Sequence, residues 1–135
     1  MKIIVVVPYL KSIGGAGRYA WELSEYLSLC GDDVIIASLY TDRTLYKSKT
    51  KMRIVDLGDE TNLTQSIRFW INLRKTAKTL HNLIDQEKPD VVFFNQGVHY
   101  NKLLNTITQH KSIHNKNVKG LYLVKRFFFF NQSFH

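Results

Sequence analysis

The stretch Ile3-Ile4-Val5-Val6-Val7-Pro8-Tyr9-Leu10-Lys11-Ser12-Ile13-Gly14-Gly15-Ala16-Gly17-Arg18 decides the fold. Ile3 to Val7 is an unbroken apolar run, which suits a parallel strand buried on both faces better than a strand with one wet face. Pro8 closes that run in this reading. Beyond the glycines the apolar residues recur as Ala20, Leu23, Leu27 and Cys30, a helical stripe, with Arg18 and Glu22 four apart on the polar side. Gly31 is placed to stop the helix. A strand therefore enters a helix through a glycine cluster. Glycine permits φ > 0 and close approach of a ligand, and a helix N-terminus offers unpaired N–H groups with partial positive charge. Phosphate is the natural guest of such a junction.

Outward from this unit, Val34-Ile35-Ile36-Ala37 reads as a second buried strand and Met52 to Leu57 as a third, closed by Gly58-Asp59. Asn62 and Gln65 have the spacing of a capping box. A long helical pattern follows at Ile67, Trp70, Ile71, Arg74, Ala77, Leu80, His81 and Ile84, with Leu73 and Leu83 widening the stripe. Lys88-Pro89-Asp90 ends it, because a residue before proline avoids the α region. Val91-Val92-Phe93-Phe94 is the fourth strand. Beyond Gly97 the signals weaken: Lys102 to Gln109 suits a short helix and Leu121 to Val124 a fifth strand. Strands alternating with helices predict an α/β class, a parallel-sheet, Rossmann-like three-layer domain. Residues 1–97 form its clear part, and residues 98–135 a poorly patterned basic tail that continues the same domain incompletely.

At 135 residues the chain fits one domain, and no apolar run approaches the roughly 20 residues of a membrane helix. The N-terminal apolar run lacks the small-residue cleavage site of a signal peptide, so a cytoplasmic protein is expected. The single Cys30 excludes an internal disulfide, and its place on the apolar stripe predicts a small core residue. The net charge of +8 is unevenly spread. Residues 1–90 hold 13 Lys/Arg against all 11 Asp/Glu, whereas residues 91–135 hold six cations and no acid. No nucleic-acid reading motif accompanies the charge, and no nucleic-acid partner is expected. A local run, Lys47, Lys49, Lys51 and Arg53, sits before the third strand; it fits either a solvated loop or a phosphate-rich or membrane-surface partner.

The acid-free end, rich in Asn, Lys and His and carrying Phe127 to Phe130 as an uncovered aromatic run, suggests a native domain that continues further. Truncation or a displaced reading frame would each produce it.

The order of strand, Pro8-Tyr9, Gly14-Gly15-Ala16-Gly17-Arg18, a helix with Trp21-Glu22-Leu23, Gly31 and an apolar strand resembles the opening of family 4 glycosyltransferases. Lys88-Pro89-Asp90-Val91-Val92 resembles their fourth strand. The resemblance covers residues 1–97 and implies the N-terminal half of a GT-B fold, in which two Rossmann-like domains face across a cleft. It implies an acceptor-side domain of an enzyme transferring a sugar from a nucleoside diphosphate sugar, with no cofactor beyond that donor substrate and no metal. Gly14, Gly15 and Arg18 match the positions that approach the donor diphosphate, and Arg18 could equally pair with Glu22. The family's C-terminal domain, a possible partner, is absent, as is its pair of glutamates separated by seven residues. No catalytic residue can therefore be named, and the chain is expected to be inactive alone. The family's histidine after the fourth or fifth strand is not matched either; Asn95-Gln96 stand there, and His99 lies out of register.

Competing readings remain. Gly15-Ala16-Gly17-Arg18-Tyr19-Ala20 formally satisfies G-x-G-x-x-A, and Asp42 lies where a dinucleotide's ribose would find an acid. Against an NAD(P)-binding domain, the fingerprint sets its first glycine directly after the strand, whereas Pro8 to Ile13 intervene here. A non-catalytic Rossmann-like fragment is the third reading. His81, on the apolar side of its helix, reads as a packed histidine. The helix around Phe69-Trp70, with Arg68, Arg74, Lys75 and Lys78, could lie on an anionic membrane surface or place Trp70 in the core. Metal and nucleophile chemistry find no supporting spacing.

Overall fold

A computed structural model describes residues 1–11, 15–58, 67–95 and 121–125. Its elements run β1 (Lys2–Leu10), α1 (Gly15–Leu29), β2 (Asp33–Thr41), β3 (Arg53–Asp56), α2 (Ile67–Glu87), β4 (Val91–Asn95) and β5 (Leu121–Lys125). The strands form one parallel sheet in the order β3-β2-β1-β4-β5.

The apolar run of β1 works as the period of a strand requires. Ile3, Val5 and Val7 join Ala20 and Trp21 of α1, with Val34, Ile36, Tyr46 and Met52, in one core cluster. Ile4 and Val6 join Leu80 and Ile84 of α2, with Ile35, Ala37, Val92 and Phe94, in the other. Alternate residues thus feed opposite faces, and helices on both faces explain why β1, β2 and β4 are continuously apolar. The three-layer α/β expectation is met.

Pro8 does not stop the first strand, contrary to the sequence reading. β1 runs on to Leu10, pairing Tyr9 with Tyr40 and Leu10 with Thr41. Its pairing with β4 covers only Ile3 to Val6 against Val91 to Phe94. By Pro8 the strand has outrun β4, so the N–H that proline lacks is not needed by that neighbour.

α1 ends as expected at a glycine. Gly31 has φ +95°, its N–H donates to the Ser28 carbonyl, and the Asp32 N–H donates to the Leu27 carbonyl, which together make a Schellman cap. Cys30 is a correction: it is exposed at this cap instead of packed in the core. The buried line of α1 is Ala20, Trp21 and Ser24, whose hydroxyl donates to the Ala20 carbonyl, with Leu27 packed at the margin. In α2 likewise, Arg74 is exposed and Thr76 takes the buried place beside Ala77. The Asn62/Gln65 capping box and the helix at 102–109 lie outside the described residues, as do His99 and the side chains of Phe69 and Trp70.

Lys88-Pro89-Asp90 has a local physical role. Lys88 follows the end of α2 at φ +47°, with its N–H donating to the Ile84 carbonyl. The Lys2 N–H donates to Asp90 Oδ2 at 2.7 Å, and the Asp90 N–H donates to the Lys2 carbonyl at 2.8 Å. This reciprocal pair sets the start of β4 against the start of β1. At the same end of the sheet, Arg53 grips Glu87 through two bonds of 2.8 and 2.9 Å, and Lys2 Nζ adds a third at 3.1 Å. The Arg53 hydrogen bonds are the main reason the Glu87 carboxyl is held at about 2.

Candidate functional site

In an open parallel sheet, ligands bind beyond the carboxyl ends of the strands, where the chain reverses its direction of winding. Here that point lies between β1 and β4. The chain leaves β1 through α1 on one face, and returns to β4 through α2 on the other. The glycine junction stands at the end of β1, and the fully buried Asn95 closes β4.

Gly15 is the first residue of α1 and has φ +65°. A Cβ there would meet nothing within 4 Å, so conformation, not crowding, calls for glycine. Gly14 lies outside the described residues. Gly17 is required for the opposite reason. A Cβ there would sit 2.9 Å from the Tyr9 carbonyl oxygen, 3.5 Å from Leu10 Cδ2 and 3.7 Å from the Tyr46 hydroxyl. Its bareness lets α1 start hard against the end of β1. No acidic residue occupies the first turn of α1, so the positive end of the helix is not countered from within the helix.

Around the helix start, Lys11 Nζ lies 4.7 Å from the centre of the Tyr9 ring. Arg18 is exposed and donates from Nε to Glu22 Oε1 at 2.7 Å, a contact that raises its pKa further. Arg18 thus takes the helix-surface pairing, while remaining one turn from the mouth of the junction. Tyr46 is the residue that sequence reasoning missed. It is buried, its ring meets Trp21 edge to face at 5.1 Å, and burial pushes its hydroxyl pKa up against a smaller opposing pull from Arg18. It lay in a segment read as loop, with no periodicity to mark it.

Asp42 anchors the turn that positions Tyr46, through one carboxylate oxygen and its backbone. Its Oδ1 accepts from the Thr44 N–H at 2.8 Å and the Thr44 hydroxyl at 2.6 Å, and these bonds depress its pKa. Its carbonyl accepts from the Tyr46 N–H, and its own N–H donates to the Leu10 carbonyl. The turn after β2 is thereby fastened to the end of β1. His81 is mostly buried, with Nε2 3.2 Å from Asp85 Oδ2, in keeping with a packed histidine.

No protein-family profile matches the sequence, and no curated protein sequence matches it. Solved structures do match in three dimensions. A glycosyltransferase from Rickettsia africae superposes with a TM-score of 0.60 at 16% identity, over 91% of this chain and 28% of that one. MurG from Acinetobacter baumannii gives 0.62 at 13% identity, over 92% of this chain and 35% of that one. This is the fold of one domain of a GT-B glycosyltransferase. The chain spans about a third of the length of these glycosyltransferases. This chain is also similar to the C-terminal domain of the PF1911 hydrogenase of Pyrococcus furiosus, with a TM-score of 0.53 at 16% identity over 93% of this chain and 91% of that one. The glycine-led start of α1 therefore has to be weighed on its own geometry.

Proposed function

We propose that this chain is the N-terminal, acceptor-side domain of a family 4-type glycosyltransferase, and that α1 helps bind the diphosphate of a nucleoside diphosphate sugar. The observation that carries the reading is the pairing of Gly15, in the left-handed conformation, with Gly17, packed on the Tyr9 carbonyl. Together they bring a helix N-terminus without acidic residues to the reversal point of a GT-B domain sheet.

In this proposal the backbone N–H groups that open α1 stabilise negative charge growing on the leaving diphosphate as an acceptor oxygen attacks the anomeric carbon. Gly14 and Gly15 supply the bare backbone. Arg18 adds positive charge by exchanging Glu22 for a phosphate oxygen. Residues 1–97 carry this work, residues 98–135 continue the same domain only incompletely, and a donor-side domain completes the cleft, so the lone domain does not turn over. The expected setting is the cytoplasm; no helix among the described residues is long and apolar enough to cross a membrane.

The dinucleotide alternative retains one favourable observation. Because β1 extends to Leu10, only residues 11–14 separate the strand from Gly15, a closer approach to the fingerprint than the sequence suggested. Asp42 weakens it, since one oxygen of the carboxylate expected at the ribose is already taken twice in its own turn.

Titration of the purified chain with UDP, GDP and NAD, followed by nuclear magnetic resonance of the backbone amides, tests the reading. UDP or GDP should shift the amides of residues 15–18, and Gly15→Val should abolish that response. Shifts with NAD alone, or a response unaltered in Gly15→Val, would overturn it. Sugar transfer by the chain without a second domain would contradict the assignment of turnover to a two-domain cleft.

A further inference from the structure

We infer that the flank of α1 beside the β2–β3 connection is a self-complementary docking surface for a second copy of this chain. The inference rests on that flank alone and is independent of the glycosyltransferase reading.

Adjacent parallel strands are usually joined by a helix that covers the sheet. Here β2 and β3 are joined by residues 42–52, which contain no helix. One side of α1 is left bare, with two adjoining hollows of about 320 and 450 Å³ between it and the connection. Tyr26 and Leu29, one turn apart on α1, line the first hollow, and Leu29 also lines the second. They are 64% and 75% exposed, although both are large and apolar.

The charges around these tips indicate what covers them. On the α1 side, Glu22 and Glu25 line the first hollow and Asp32, just beyond the cap, lines the second. On the connection, Lys47 and Lys49 line the first and Lys51 the second. Three acids thus stand beside three lysines, in separate rows, and the flank is neutral. Among the described residues none of the three lysines pairs with a carboxylate of its own chain. Asp32 is held by the Met1 amine at 2.7 Å. Glu22 contacts Arg18 yet keeps a 60% exposed side chain, and Glu25 meets the connection through the Lys49 backbone N–H at 3.1 Å.

A row of acids beside a row of lysines is complementary to itself. A two-fold axis along their boundary sets each row against the opposite row of the second copy, whereas an axis across it would set acid on acid. The two α1 helices then run in the same direction, each over the other copy's connection, and the Tyr26 and Leu29 tips enter the other copy's hollows. A neutral flank offers no net attraction to an anionic surface. The chain's excess of positive charge lies elsewhere, since residues 91–135 hold six cations and no acid, and β5 within that stretch stands at the far edge of the sheet from β3.

Sedimentation equilibrium of the whole chain over a dilution series tests the inference. The average mass should rise with concentration from 15.8 kDa towards twice that value. Replacing Lys47, Lys49 and Lys51 together by glutamate, or Glu22 and Glu25 together by lysine, should weaken the dimer by at least about tenfold, because like charges then oppose each other. An equimolar mixture of these two variants should recover the dimer, since each then meets a row of opposite sign. Tyr26→Ser with Leu29→Ser should also weaken it about tenfold with every charge intact. Circular dichroism checks that the variants fold; should a charge variant fail to, the Tyr26/Leu29 variant, altered only at exposed tips, decides. A wild-type chain monomeric at every concentration, a dimer indifferent to the tips or to the charges, or a mixture of folded charge variants that stays monomeric would overturn the inference.

Discussion

A Cβ on Gly17 would stand 2.9 Å from the carbonyl oxygen of Tyr9, a separation that real Cβ atoms do not sustain. The obstacle is backbone at the end of a paired strand, so it cannot swing aside as a side chain would. Gly17→Ala should cost about 1–3 kcal/mol, the usual penalty of overpacking, despite the better helix propensity of alanine. Urea unfolding of the variant checks this. A stabilised Gly17→Ala protein would mean that α1 does not start against β1.

Glu87 should make stability depend on acid pH. Its folded pKa, about 2, lies below the ordinary 4.5, so its contribution is fully present above about pH 4.5 and is lost as pH falls towards 2. Surface screening limits that contribution to about 1 kcal/mol. Glu87→Gln should remove it, leaving wild type and variant to converge in stability as pH drops through this window. Thermal melts at stepped pH would show the convergence, and a constant gap down to pH 2 would refute it.

Asp90→Ala removes the acceptor that holds the Lys2 N–H at 2.7 Å. The loss should be about 0.5–1.5 kcal/mol, at the lower end because water can reach the exposed site. Asp90→Asn keeps an acceptor oxygen and should recover most of it. Equal destabilisation by the two substitutions, measured by chemical denaturation, would show that charge and not the bond matters.

Lys88, at φ +47°, occupies a conformation unfavourable to a residue with a Cβ. Lys88→Gly should stabilise the chain by about 0.5–1 kcal/mol, the relief of that strain less the added freedom of glycine in the unfolded chain. Lys88→Val should do the reverse. The order of the three melting temperatures is the test.

The sheet was legible because strands buried on both faces must be continuously apolar, as at Ile3–Val7, Val34–Ala37 and Val91–Phe94. The extension of β1 through Pro8 was not legible, since it depends on where β4 stops pairing, a property of the neighbour. Cys30 was misjudged because the buried line of α1 runs through Ala20, Trp21 and Ser24 and not through Ala20, Leu23 and Leu27, which leaves position 30 off that line at the exposed helix end although its N–H still donates to the Tyr26 carbonyl. The candidate site was legible at Gly15, whose need for positive φ is written in its residue type. Gly17 was visible as a motif position, but its contact with Tyr9 needed the third dimension. Tyr46 was hidden because a turn anchored by Asp42, not a regular element, delivers it to the core.

The place of β1 between β2 and β4 also orders the assembly of the sheet. Its contacts with β2 close over about thirty residues, Lys2 meeting Asp33, whereas its contacts with β4 join residues 88 apart, as Ile3 meets Val91. Closing the longer loop costs more chain entropy, and such distant pairings form late. During synthesis β1, α1 and β2 can associate while β4 is still unmade, with one edge of β1 open until Val91 to Phe94 emerge. The strand that begins the chain is thus exposed to mispairing for longest, and pulse-labelled hydrogen exchange should find the amides of β4 protected after those of β2.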